Sequence, residues 1–499
     1  MPITRTVLAV AEQHGDQPAI VATDGQLTYA QLVENSRQMF AVVDALHRAQ
    51  PMPPASTRGI PITAVSLAST FHTARIIAGL AGFRAVSATI DPKWPLEHRT
   101  EVILATGIGV VISDSTDLAA ALAAREWTGT ILTLTDFMQQ EVSSAPAAAP
   151  AVRDDEEPFL LLFSSGTTSN PKAFLKTRHQ YRANFAVSSA HLEPGPGTAT
   201  LAPGPVSYSL TLYALIESLA SGGSAHLADA FDPVELGRRI HDEKITRVVA
   251  VPAVVQALVD AARRGADRFT TLELVVTGGA NLPAILRTGL QEVLPQVRLI
   301  SYYGAAEIGF IGDSRDGDGT RISIYESIGV SIRDDDGNEV PDGELGTLWI
   351  CAAACSDEYL PGTTDAMLKG ADGWATVHDH GRLVDGALVL AGRAGDIAVT
   401  GGHKVTLPDV ERAFEGMPRL GAVCAVALPH ERLGSVVALV IEGVAPGKGE
   451  LQNRAREKLA PQFVPRRWYR VERLPRTLGG KIRRTAAAEL VAGGEAERL

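Results

Sequence analysis

Three cysteines, Cys351, Cys355 and Cys424, are too few to staple 499 residues, and such usage fits a reducing cytosol. A zinc site is unsupported as well. The CxxxC at Cys351 and Cys355 has no second pair, and two small residues closing a strand is its commoner meaning. Positive charge is scarce: 46 basic against 57 acidic side chains leave a net charge of −11. That excess argues against a nucleic acid or anionic membrane held by bulk electrostatics, so any anionic ligand must be held locally. Long apolar runs are missing too, with none approaching the roughly 18 residues that a membrane helix needs. The N-terminal stretch is broken by Glu12 and lacks a cleavage site behind a basic head, so no secretory leader is expected and the chain reads as cytoplasmic. Lysine is rarer still, with 9 against 37 arginines. Each lysine therefore stands out.

What is present is a sizeable apolar fraction, 45%, in a chain longer than the roughly 100–200 residues that one core usually organises. At least two units are expected. From Leu27 to about Thr135, helical apolar patterns (YAQLVENSRQMFAVVDAL, TARIIAGLAGF) alternate with short β-branched runs (ITAVSLA, GVVIS, ILTL), the rhythm of an α/β fold with a parallel sheet. VSSAPAAAPAVRDDEE, residues 142–157, reads as an exposed connector. The apolar strand PFLLLF follows, then a loop of small polar residues, then the helical pattern TRHQYRANFAVSSAHL, an order in which phosphates are commonly held. After Arg315 the texture turns β-rich, with hairpin spacing in HGRLVDGALVLAGRAGD. Residues 395–499 carry helices and strands of their own and form a small second domain beside the large one of 1–394.

FSSGTTSNPKA, Phe163 to Ala173, is the strongest local signal. Hydroxyl side chains and a glycine leave donors free to face an anion, and Lys172 adds charge. It is not a Walker loop, because Pro171 stands where the second glycine belongs and Ala173 where a magnesium-binding hydroxyl belongs. A polar turn joining two elements would look similar, so the loop alone does not decide the function. ATGIGVVI lacks the third glycine of a dinucleotide fingerprint, and the HDH of His378 to His380 has no further ligand partner.

The loop resembles the phosphate loop of the adenylate-forming superfamily of acyl-CoA synthetases, adenylation domains and luciferases. Further motifs of that family occur in order along nearly the whole chain: LTYAQL, GGA at Gly278 to Ala280, YYGAAE at Tyr302 to Glu307, Asp379, Arg393 in GRAGD, GGHKV from Gly401, and LPRTLGGKIRR around Lys481. The resemblance implies a large domain to about Arg393 and a small one that turns about a hinge near Gly395. It implies an acyl-CoA ligase that converts carboxylate and ATP to acyl-AMP and pyrophosphate, after which CoA displaces AMP. ATP/AMP, Mg²⁺ and coenzyme A are the implied cofactors. By resemblance Lys481 and Lys172 stabilise the phosphates and Glu307 binds Mg²⁺. Ser164, Ser165, Gly166, Thr167 and Thr168 cradle phosphate. Gly278, Gly279, Ala280, Tyr302, Tyr303, Gly304 and Ala306 surround the nucleotide, and Asp379 with Arg393 takes the ribose. Val206, Tyr208 and Ser209 border the acyl pocket, and Gly401 and Gly402 line the pantetheine tunnel. Ser209 aligns with the Asp that binds the ammonium in amino-acid-activating members; a neutral serine cannot counter a buried ammonium, so the acid is not expected to be an amino acid. Small residues such as Ala280 and Ala305 suggest room for a bulky apolar acid.

Four positions depart from the family pattern. Ser169 and Ala173 replace glycines, Ala306 replaces a phosphate-binding threonine, and Gly395 replaces the hinge Asp or Lys. The first three touch phosphate handling. They point to a weakened adenylation step, in which the enzyme mainly thioesterifies an acyl-adenylate supplied by a separate adenylating enzyme, with a loose likeness to natural-product ligases of the platensimycin type; the complete two-step enzyme stays ahead of this version, because Lys481 and Glu307 remain. Two alternatives stand beside this: a stand-alone loader of an external carrier protein, and a non-catalytic acyl-AMP or nucleotide sensor.

Overall fold

The computed structural model describes residues 3–50, 53–164, 172–229, 232–279, 282–316, 319–400, 403–477 and 481–499. Two sheets build the large domain. The first has six strands in the spatial order Thr130–Leu132, Val110–Ser113, Ile62–Ser66, Val86–Thr89, Pro158–Phe163, Ala173–Thr177. All its neighbours are parallel except the last pair. Ile62–Ser66 and Val110–Ser113 are buried along their whole length, as expected of parallel strands covered on both faces.

The second sheet has thirteen strands. Its parallel half carries Ser224–Leu227, Ala199–Ala202, Arg247–Ala250, Leu274–Thr277 and Arg298–Ala305. The other half is antiparallel, running from Gly309–Ser314 through Arg321–Ile324 and the hairpin of Ala387–Arg393 and Asp379–Val384 to Gly346–Cys351 and Gly329–Arg333. The hairpin turn is Asp385–Gly386, both at positive φ (51° and 74°), the two-residue geometry that matches strand twist. A third, six-stranded sheet is confined to the small domain, with Gly434–Glu442 at its centre and the helices Leu407–Arg412, Lys448–Lys458 and Arg484–Ala492 around it. Among the described residues no helix is long and apolar enough to cross a membrane.

One expectation is corrected. The polar loop does not lead directly into a helix: the chain first returns antiparallel to Pro158–Phe163 as Ala173–Thr177, and the helix Arg178–His191 begins only afterwards. Thr177 caps that helix, with Gln180 completing a capping box, so the helix N-terminus is already satisfied by the chain itself. No free helix N-terminus therefore follows the loop directly.

In open α/β sheets ligands gather outside the carboxyl ends of the strands. Ser164 follows Phe163, Val206 and Tyr208 lie shortly after Ala202, Gly278 follows Thr277, and Tyr302 to Ala305 end their own strand. The fold thus collects at the strand ends residues that lie far apart in sequence.

Candidate active site

Ser164 is buried, its N–H donates to the Lys172 carbonyl at 2.8 Å, and its Oγ has no hydrogen-bond partner among the described residues. A buried hydroxyl left without a partner costs free energy unless a ligand completes it, which fits an anion at this point. Ser165, Gly166, Thr167 and Thr168, like Ser169, lie outside the described residues. Lys172 stands with Nζ 5.0 Å from the centre of the Tyr359 ring. The Tyr359 hydroxyl in turn donates to Glu307 Oε1 at 3.1 Å. Glu307 is 7% exposed, and the Tyr359 bond engages one of its two carboxylate oxygens. One carboxylate oriented by a phenol, beside a lysine, suits Mg²⁺, which prefers hard oxygen ligands and keeps several waters. No cluster of three or more His, Cys, Asp or Glu exists among the described residues, so Glu307 would share the ion with ATP oxygens.

Lys176, not singled out from the sequence, is buried behind Glu307 and donates from Nζ to the Glu307 carbonyl at 2.7 Å and the Ala354 carbonyl at 2.6 Å. Burial pulls its pKa down to about 8. Tyr359 was missed as well. Lysine rarity is a signal for Lys176, whereas Tyr359 is identified by its contacts with Lys172 and Glu307 and carries no signal of its own in the sequence.

On the nucleotide side, the Tyr303 hydroxyl donates to Asp379 Oδ2 at 2.6 Å, so the expected ribose acid is already oriented. Arg393 pairs with Asp379 across the hairpin through the backbone. Gly304 and Ala305 form the partly buried end of the strand, and Ala306, in the turn just beyond, offers no hydroxyl. Gly279 sits at φ 78°, and Ala280 lies outside the described residues. A Cβ on Gly278 would stand 2.4 Å from the Tyr302 ring. Glycine is thus required at 278 because a ring occupies the space. His378, with φ 62°, is held by a bond from its N–H to Thr376 Oγ1, and burial, with Lys172 nearby, lowers its pKa.

On the acyl side Val206 is buried, Tyr208 precedes the helix Ser209–Ser221 and Ser209 is exposed. Burial and the neighbouring Asp91 carboxylate push the Tyr208 phenol up. Between that helix and the strand Arg298–Ala305 lies a chain of rings: Tyr302 against Phe310 at 4.7 Å, Phe310 against Tyr213 at 4.7 Å, and Tyr213 stacked on Tyr181 at 5.3 Å. Of the small residues that suggested room from sequence, Ala305 is partly buried at the end of its strand and Ala280 lies outside the described residues.

In the small domain Gly401 and Gly402 lie outside the described residues. Lys481 is exposed; its N–H donates to Thr477 Oγ1 at 3.1 Å and its carbonyl accepts from the Thr477 N–H at 2.7 Å. Gly395 lies in the 3₁₀ turn Ala394–Asp396, and a Cβ there would meet nothing within 4 Å. Arg484 ties Asp396, at 2.5 Å, to Glu411 and the Ala425 carbonyl of the small domain. The three cysteines are free thiols, Cys351 exposed and the others buried.

A loop lysine against the Tyr359 ring, a buried carboxylate that the same tyrosine bonds, and Asp379 oriented by Tyr303 are what a nucleotide-dependent ligase of the AMP-binding class would use. The family model for AMP-binding enzymes matches residues 7–360, and that for the AMP-binding enzyme C-terminal domain matches residues 409–481. The chain belongs to this family, in the acyl-CoA synthetase branch of the adenylate-forming ligases. It is 26% identical to an uncharacterised acyl-CoA ligase, YhfT, of Bacillus subtilis, over 97% of each chain. It is 24% identical to the 4-chlorobenzoate–CoA ligase of an Arthrobacter species, over 97% of this chain and 94% of that one. The ATP-bound crystal structure of MatB from Rhodopseudomonas palustris shares its fold, with TM-score 0.86 and 19% identity over 98% of each chain.

Proposed function

We propose that this enzyme makes the CoA thioester of a carboxylic acid other than an amino acid, and that its second half-reaction outpaces its first. The observation that carries the ligase reading is the linked set Lys172, Tyr359 and Glu307 beside the unpartnered Ser164 hydroxyl, at the strand ends where the family binds ATP.

In the first half-reaction the substrate carboxylate attacks the α-phosphorus of ATP, the bond to the β-phosphate oxygen breaks, and pyrophosphate leaves. Negative charge grows on the phosphates, where fixed positive groups and hydroxyl donors stabilise it most. Ser164 and Lys172 supply these from the large domain and Lys481 from the small one. Bound at Glu307, Mg²⁺ would add Lewis-acid neutralisation of phosphate charge. Tyr303 keeps the Asp379 carboxylate aimed to accept the ribose hydroxyls. In the second half-reaction the CoA sulfur attacks the acyl carbonyl, the bond to the AMP oxygen breaks, and the thiol proton passes to solvent as AMP departs. Rotation about the hinge near Gly395 would exchange the two arrangements and bring Gly401 and Gly402 beside the thiol arm.

Ala306 supports a slow first step. A hydroxyl contact to a charged group is worth on the order of 1.5–3 kcal/mol, or about tenfold or more in rate. A separate adenylating enzyme would then supply acyl-AMP. Ser209 supports the exclusion of amino acids.

The test is AMP release by the whole enzyme across a panel of acids, each offered with ATP or as its synthetic acyl-AMP, with CoA or a phosphopantetheinylated carrier protein as acceptor. CoA-dependent AMP release is expected. Release only with the carrier would make the chain a carrier loader, and binding of acyl-AMP without release under any condition would make it a sensor.

A further inference from the structure

The strand Ala173–Thr177 leaves the phosphate loop directly after Lys172 and pairs with an apolar strand, Leu160 facing Lys176. An apolar side chain would be the inexpensive choice there, since a buried ammonium loses several kcal/mol of hydration. Lys176 is nevertheless 3% exposed, with Nζ 6.0 Å from the centre of the Phe174 ring. Among the described residues no carboxylate lies within 4.0 Å of it, so it is not half of a salt bridge.

Its acceptors are two backbone carbonyls, those of Glu307 and Ala354. The Glu307 carbonyl also accepts the Ser356 N–H at 2.8 Å. Lys176 therefore joins three segments: the strand behind Lys172, the turn that carries Glu307, and the turn of residues 354–356. The same strand is fixed to the 359–363 segment by Leu360 N–H to the Ala173 carbonyl at 2.7 Å, and by the Ala173 N–H to Thr363 Oγ1 at 3.2 Å. Tyr359, in that segment, holds the Glu307 carboxylate from the other side. The carboxylate is thus gripped by its backbone through Lys176 and by its oxygen through Tyr359.

We propose that Lys176 is a positioning residue for the metal carboxylate: it holds Glu307 in fixed register with Lys172, so that the ion and the loop lysine meet the same phosphates. The proposal rests on the reading of Glu307 as the magnesium ligand. Partners that orient a metal ligand typically change metal affinity 10- to 100-fold when removed.

The experiment titrates Mn²⁺ into the full-length protein with ATP present, read by water-proton relaxation, for the wild type and for Lys176→Met, Lys176→Gln and Glu307→Gln, with melting midpoints alongside. Met conserves the length of the stem, and Gln keeps N–H donors without charge, so Gln carries the test if Met does not fold. The expected result is Mn²⁺ affinity weakened about tenfold in Lys176→Met, less in Lys176→Gln, and at least tenfold in Glu307→Gln. A purely structural role would lower the melting midpoint and leave the Mn²⁺ affinity of the folded protein unchanged. Wild-type affinity in the Lys176 variants beside a weakened Glu307→Gln overturns the proposal alone. Wild-type affinity in Glu307→Gln overturns the metal reading, and this proposal with it.

Discussion

At the scale of single residues the site turns on what a small side chain means. Gly278 invites the reading that backbone must approach a flat base, yet the space its Cβ would take holds the Tyr302 ring. The sequence carries both residues, but only the parallel pairing of Leu274–Thr277 with Arg298–Ala305 brings them together. Gly278→Ala is therefore expected to cost about 1–3 kcal/mol, the usual range for forcing atoms into a packed site. Tyr302→Leu in the same chain should relieve most of that strain, which thermal melts of the two single variants and the double would show as non-additivity. Ala306 is the opposite case, a position where a group is missing. Ala306→Thr is expected to raise ATP-dependent acyl-AMP formation about tenfold, while thioester formation from supplied acyl-AMP stays within about twofold. An equal rise in both rates would place the effect outside phosphate handling.

At the scale of elements, local chemistry was readable and long-range pairing was not. The Asp385–Gly386 turn announces its hairpin, and the two strands form around it. The helix LTYAQL begins where Thr28 and Gln31 close a capping box. The strand Ala173–Thr177 was hidden because its partner lies across a loop of polar residues and its fourth residue is a buried lysine. What pulls it into the sheet is pairing with Pro158–Phe163, which no local pattern encodes. Lys172, Glu307 and Asp379 were legible through family resemblance. Tyr359 and Lys176, which hold Glu307, and Tyr303, which holds Asp379, act through contacts made only on folding. The helix Tyr29–Arg48 offers a test at this scale. Its His47 bonds Thr63 Oγ1 at 2.9 Å, and burial, partly opposed by Asp44, lowers its pKa to about 4. The folded state therefore resists protonation while the unfolded chain accepts a proton near pH 6.5. Stability contributed by neutral His47 is full above pH 6.5 and is lost as pH falls toward 4, by at most about 3 kcal/mol. Urea unfolding of His47→Gln is expected to show a flatter pH dependence across that window, and an unchanged slope would assign the acid sensitivity elsewhere.

At the scale of the whole molecule, an acidic chain binds an anionic nucleotide by gathering a few groups at the strand ends of a large domain, with one further lysine on a small domain. Arg484 anchors Asp396 to that small domain, which supports the proposed pivot at or before Gly395. The proposed function implies a division of labour, with phosphate handling assigned to the loop, Glu307 and Lys481 together and thiol attack to the acyl carbonyl and the tunnel glycines. The phosphate side carries three of the four departures from the family pattern. The most direct measurement compares, in one preparation and with one acid, the rate of ATP–pyrophosphate exchange with the rate of thioester formation from the synthetic acyl-AMP and CoA. The account predicts thioester formation at least about tenfold faster than exchange. Exchange as fast as thioester formation would contradict it.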